Sequence, residues 1–214
     1  MTAEMTAYYR ARAQEYERIY DRPERQDDQA RLHELVASFS RDRRLLEVAC
    51  GTGYWTATAA RVARAIVGID ASDETLAVAR AKPLGDHVRL LVGDAYALAA
   101  DLAAFDAAMA NFWWSHVPRP RQGAFLDGLV RRLSPGARLL MIDNRFVAGN
   151  SSPVSRRDSD GTTYQLRRLA SGATYEIVKI FPTPDEVRAA LAGHFGDIEV
   201  TELPYFWVAT GRRR

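Results

Sequence analysis

Short apolar runs recur along the first two thirds of the chain, and polar segments with helical spacing separate them. Leu45 to Cys50, Ala65 to Asp70, Val88 to Val92, Phe105 to Asn111 and Arg138 to Asp143 read as strands. Between them, Trp55 to Ala60, the segment opened by Ser72 and Asp73, and residues 120–133 read as helices. The last of these buries Phe125, Leu129, Val130 and Leu133, and Ser134-Pro135-Gly136 ends it. This alternation predicts an α/β protein with a parallel sheet and helices on both faces. Ahead of it, residues 6–20 set Tyr9, Arg12, Tyr16 and Tyr20 at helical spacing. A second helix, about Arg25 to Phe39, carries Leu32, Leu35, Val36 and Phe39 on one face and leaves His33 toward solvent.

The pattern changes after Asp143. Ala148 to Thr162 is polar and rich in Ser, Gly and Asp, which reads as a loop. Thr163 to Ala170 and Ala173 to Phe181 are β-rich and flank Ser171-Gly172, a two-residue hairpin signal. That turn pairs Arg168 with Tyr175, Leu166 with Ile177 and Tyr164 with Lys179, so these side chains share one face. The other face pairs Arg167 with Glu176. Thr183-Pro184-Asp185-Glu186 is a capping box that starts a helix running to about Ala192. Ile198 to Leu203 and Phe206 to Thr210 are the last strands, and Gly211 to Arg214 reads as a solvated tail.

Composition narrows the class without naming it. The chain has 214 residues, 47% hydrophobic and 26% charged, which fits one globular domain, 1–214. A net charge of +2 gives no reason to expect nucleic acid, and no run has the apolar length of a membrane span. Met1 to Thr6 lacks the basic and apolar parts of a signal peptide, so the expected location is cytoplasmic. The single cysteine, Cys50, excludes an internal disulfide and a cysteine-built metal site, and no metal is expected.

The chemistry concentrates where the first strand turns into Gly51-Thr52-Gly53. Glycine there lets a ligand approach bare backbone. The carboxylate of Glu47 repels a dinucleotide pyrophosphate and attracts a cation. The third glycine of a dinucleotide fingerprint is absent, with Thr56 in its place. Glu47-Val48-Ala49-Cys50-Gly51-Thr52-Gly53 resembles the first motif of the class I S-adenosylmethionine (SAM)-dependent methyltransferases, an acid, two spacers and G-x-G being its core.

The resemblance implies a Rossmann-like, seven-stranded, mostly parallel sheet with an antiparallel last strand, and SAM as cofactor, converted to S-adenosylhomocysteine (SAH). It implies that Glu47, Ala49, Gly51 and Gly53 form the cofactor loop. Asp70, with Ala71, takes the ribose hydroxyls; Asp94, with Ala95, meets the adenine; Asn111 lies beside them. It also implies an N-terminal helical lid, residues 1–40, whose Tyr9 and Arg12 face the methionine carboxylate. Residues 148–182, the loop and hairpin inserted after the fifth strand, cover the acceptor.

Acceptor chemistry rests on later residues. Trp113 and Trp114 cannot both point into one core, so at least one faces the cleft beyond the strand ends, and both are candidate substrate contacts. His116 is the candidate general base or hydrogen-bond donor. The hairpin face of Tyr164, Arg168, Tyr175 and Lys179 holds two cations and no acid, which favours an anionic acceptor. Together these point to O-methylation of a small acid, a phosphonate or carboxylate; a resemblance to the family's phosphonate O-methyltransferases of natural-product pathways implies secondary metabolism, and a monomer or homodimer is expected. Asn111 is followed by Phe-Trp-Trp rather than the Pro-Pro-Tyr often found at this place in members of the resembled family, so the resemblance disfavours a nucleic-acid base or amide. A small-molecule N- or C-methyltransferase, an NAD-dependent oxidoreductase and a noncatalytic SAM-binding protein are the alternatives.

Overall fold

A computed structural model describes residues 3–102 and 104–214. In chain order the elements are α1 (Ala3–Arg12), a 3₁₀ run (Ala13–Tyr20), α2 (Gln26–Ser40), β1 (Arg44–Val48), α3 (Tyr54–Ala60), β2 (Ala65–Asp70), α4 (Asp73–Arg80), β3 (Val88–Val92), β4 (Phe105–Met109), α5 (Gln122–Val130), β5 (Leu133–Asn144), β6 (Arg156–Arg157), β7 (Thr163–Arg168), β8 (Thr174–Val178), α6 (Pro184–Leu191), β9 (Phe195–Glu202) and β10 (Phe206–Arg213). Seven strands form one sheet in the order β3-β2-β1-β4-β5-β10-β9, and β10 alone runs antiparallel to its neighbours.

The central strands are apolar on both faces because both are covered. Leu46, Val48, Ala108, Leu139 and Met141 meet Phe125, Leu129 and Leu191 of α5 and α6. Their alternate neighbours Leu45, Ala107, Met109, Leu140 and Ile142 meet Leu32, Val36, Trp55 and Ala59 of α2 and α3. The parallel strands therefore end together on one rim, and Glu47, Asp70 and Asp94 lie at or just beyond the ends of β1, β2 and β3.

Several local expectations are corrected. Residues 6–20 are not one helix: α1 tightens into the 3₁₀ run at Ala13. Contacts with the body set that winding, since Tyr20 stacks on Tyr54 at 3.8 Å between centroids and Glu17 accepts from the Thr52 hydroxyl at 2.6 Å. His33 is half-buried rather than solvated, bonded to Thr58 Oγ1 at 2.7 Å and Tyr54 OH at 3.2 Å. α5 stops at Val130, and Ser134-Pro135-Gly136 lies inside β5. Gly211 pairs with Leu139 and Arg213 with Phe195, so the tail before Arg214 is strand.

The largest correction is in the hairpin. Leu169 and Ala173 close the turn, which therefore holds three residues, Ala170-Ser171-Gly172, with Gly172 at φ 88°. Pairing shifts by one: Tyr164 with Val178, Gln165 with Ile177, Arg167 with Tyr175 and Arg168 with Thr174. A one-residue slip exchanges the faces of one strand relative to its partner. Thr163, Gln165 and Arg167 now share a face with Tyr175, Ile177 and Lys179, while Tyr164 and Arg168 point the other way.

Candidate active site

Two adjoining cavities open at the strand-end rim. The first, of about 820 Å³, is lined by Glu47, Ala49, Gly51, Asp70, Ala71, Asp94, Ala95 and Asn111, and is roofed by aromatic rings that include Tyr9, Tyr20 and Trp113. The two anchors of its floor are buried carboxylates. Asp70 accepts from the Gly51 and Ser72 amides, each at 2.9 Å, and from Thr75 Oγ1 at 3.0 Å. Burial still raises its pKa, those donors offsetting part of the shift. Glu47, 2% exposed, accepts from Thr56 Oγ1 at 2.6 Å, and burial pushes its pKa up to about 7. Asp94 Oδ1 accepts from the Tyr96 amide at 3.0 Å.

The loop between them is shaped for close approach. Ala49 and Gly51 both have φ of 55°, and a Cβ on Gly51 would project into open space. Asn111 Oδ1 is buried without a partner and faces this cavity. Such a cavity fits a ligand that carries positive charge and several donors, as SAM does. Gly53 is different: it caps α3 at φ 75° and does not line the cavity, and a Cβ there would sit 2.9 Å from that of Ala79. Its role is to let the loop pack on α4.

The second cavity, of about 760 Å³, lies between the N-terminal segment and the hairpin. Arg12, Arg22, Arg25, Arg167 and Lys179 line it, and no Asp or Glu does so among the described residues. Arg12 thus belongs here and not beside the cofactor loop. It donates to Tyr8 OH at 2.6 Å and lies over the Tyr8 and Tyr16 rings. Arg167 donates to Ser152 Oγ and Gln165 Oε1, each at 2.6 Å. Arg25 bonds to the side chain of Asn150, and its Nε is buried without a partner.

Lys179 lines this cavity but is not a free cation. Its Nζ lies 2.6 Å from Ser115 Oγ and 3.1 Å from Asp143 Oδ1, and all three side chains are buried. Asp143 also accepts from the Ser115 amide and hydroxyl, each at 2.8 Å. Burial opposes its ionisation, but Lys179 beside it holds its pKa below the ordinary carboxylate range. Asp143 and Ser115 were missed in the sequence. The one signal was that Asp143 ends a strand as Asp70 does.

His116 sits where the cavities meet. Its Nδ1 is 2.7 Å from the Val178 carbonyl, which only accepts, so Nδ1 carries the proton and Nε2 accepts from Tyr9 OH at 2.8 Å. Burial, with Lys179 nearby, pushes its pKa down to about 3. Both ring nitrogens are engaged and the imidazole is neutral, so the expected base or donor to the acceptor is a residue that positions Tyr9. Of the other expected substrate contacts, Trp113 lines the first cavity and Trp114 is core, packed on Phe125. Tyr175 packs on Tyr8, with 5.7 Å between centroids. Tyr164 donates to Asp158 at 2.6 Å, outside both cavities, and Arg168 is exposed.

Residues 45–136 match the family described as methyltransferase domain. Across its length the chain is similar to a solved complex of DhpI with SAH (30% identity, 98% of this chain and 95% of that one, TM-score 0.80). A complex of DhpI with SAM and HEP gives 31% identity, 98% and 96% coverage, and a TM-score of 0.81. Among curated proteins, protein-L-isoaspartate O-methyltransferase 1 of Nitrosospira multiformis is 32% identical over 142 residues, 64% of this chain and 56% of that protein. The chain spans about half the length of the curated relatives it matches.

Proposed function

The chain belongs to the class I SAM-dependent methyltransferase family, with SAM as its cofactor, and on that premise we propose that it methylates an anionic oxygen of a small acceptor, a phosphonate or carboxylate. The observation that carries this reading is the second cavity, which five cationic side chains line with no acid among the described residues and which opens onto the first beside Tyr9 and His116. Because Lys179 is paired with Asp143, the free positive charge comes from Arg167, Arg12 and Arg25, whose guanidinium groups match the oxygens of an acidic group. The similarity to DhpI, solved with SAM and HEP, supports a related use of both cavities.

SAM supplies a methyl group made electrophilic by its sulfonium. Toward that group, Glu47 and Asn111 would hold the amino acid end, Asp70 the ribose and Asp94 the adenine. The chain's remaining task is alignment. Arg167 and its neighbours hold the acceptor's other oxygens, leaving one oxygen aimed at the junction, and the aromatic roof keeps water out; such positioning is worth about 7–11 kcal/mol. An acid that is already ionised near neutral pH needs no base, which agrees with a neutral His116 whose nitrogens are both engaged.

Incubation with methyl-labelled SAM and separate panels of phosphonates, carboxylates and amines tests the reading. Label is expected on the acid panels as ester. Transfer to amines alone, or full acid turnover by the double variant Arg25→Ala, Arg167→Ala, would overturn it.

A further inference from the structure

The methyl donor and the acceptor oxygen must meet where the two cavities meet. Four side chains line both: Tyr9, Tyr16, Phe112 and His116. Every one presents a ring, and none carries a formal charge. Tyr9 and Tyr16 are pushed by burial above the ordinary phenol range, Tyr16 to about 12, and His116 is held neutral. Tyr9 meets Tyr16 and His116 edge to face, at 5.9 Å and 5.5 Å between centroids, while the ring of Phe112 contacts those of Tyr20, Trp55 and Phe206.

The tautomer of His116 adds a detail. Tyr9 donates its hydroxyl proton to Nε2, so the phenol oxygen has only lone pairs left to offer. Phe112 adds an independent one. Its φ is 56°, a left-handed conformation that costs a bulky residue on the order of 1–3 kcal/mol. Its amide bonds to the Ile142 carbonyl at 2.6 Å, and its ring lies near parallel to Trp55, at 18° and 5.9 Å. The backbone is held in a strained form while the ring stands at the junction.

We propose that Tyr9, Tyr16, Phe112 and His116 form a neutral aromatic collar that recognises the positive charge of the methyl-bearing sulfonium, so that the protein holds SAM more tightly than SAH. The proposal rests on the cofactor reading above. A cation within reach of ring faces is attracted by their quadrupoles, and the attraction grows when water is excluded. SAH lacks that charge. The collar thereby favours release of the used cofactor; Arg12, whose guanidinium lies over the Tyr16 ring at 5.5 Å, and Arg167 line the acceptor side.

Calorimetric titration of the whole protein with SAM and with SAH tests this without turnover. The wild type is expected to bind SAM about tenfold more tightly than SAH. Tyr16→Leu and Phe112→Leu should each reduce that ratio about threefold through weaker SAM binding, with SAH affinity nearly unchanged, while Tyr16→Phe keeps the wild-type ratio. Equal affinities in the wild type, or a ratio that survives both leucine variants, overturn the collar and leave the cofactor reading standing. Binding of neither ligand overturns both. Because the wild-type ratio is itself a test, a leucine variant that fails to fold does not remove the risk to the proposal.

Discussion

The two cavities adjoin and are of opposite character. The first is floored by carboxylates at the ends of adjacent parallel strands; the second is walled by guanidinium groups from the N-terminal segment and the hairpin. The acids are fixed by strand order, because β1, β2 and β3 are neighbours whose carboxyl ends share a rim. Of the cations, Arg22 and Arg25 are held through Asn150 and Lys179 through Asp143, far away in sequence, while Arg12 bonds to Tyr8 and Arg167 to Gln165 and Ser152, closer by. One cavity is thus a property of the sheet, and the other a property of what has been folded over it.

The sharpest way to break that contrast is at Lys179, the cation of the second cavity that is tied to the sheet through Asp143. Lys179→Ala leaves a buried, uncompensated carboxylate at the end of β5, and the expected loss is about 3–5 kcal/mol, read as a fall in Tm of roughly 10 °C. A Tm within 2 °C of wild type, taken as a rough error margin, would mean that Lys179 serves the acceptor and not the fold. Arg167→Ala should leave Tm nearly unchanged but raise KM for the acidic acceptor about 100-fold, with cofactor affinity retained. This corresponds to about 2–3 kcal/mol for a charged contact.

The first cavity is tested by pH. Burial, with Asp70 nearby, pushes the pKa of Glu47 up to about 7, far above an exposed glutamate, so the empty fold favours its protonated form. Stability of the empty protein should therefore be greatest below about pH 4.5 as far as this residue is concerned, and decline as pH rises toward 7. A cationic cofactor favours the ionised form. Its affinity should rise about tenfold from pH 6 to pH 8 and level off above, and Glu47→Gln should flatten the curve. The smallest effect expected is at Arg168, where alanine should change KM less than about twofold. A large change there would restore the hairpin register in which Arg168 faces the cavity.

The same contrast explains what could be read from the residues. Glu47, Asp70 and Asp94 were legible because each is local to its own strand end, and the two glycines mark the loop between strand and helix. Gly53 was legible as a glycine but not by role, since its neighbour Ala79 lies on another helix. The hairpin failed by one residue. Ser171-Gly172 suits a two-residue turn, yet Gly172 in the left-handed region also ends a three-residue turn, and only the packing of Ile177 and Lys179 on the body chooses between them. The pairing of Lys179 with Asp143 spans 36 positions and left no local trace. His116 was rightly placed at the cleft, but burial and its two partners, which reverse its expected role, belong to the N-terminal segment and β8.

Tyr9 and Tyr16 are walls of both cavities, on a segment that Thr52 and Lys82 hold through Glu17. The two cavities therefore share part of their boundary. Thermodynamic linkage makes any coupling between their ligands reciprocal: the factor by which bound cofactor changes acceptor affinity equals the factor by which bound acceptor changes cofactor affinity. A single short stretch of chain, wound partly as a 3₁₀ helix, is thereby where any coupling between cofactor and acceptor would be carried.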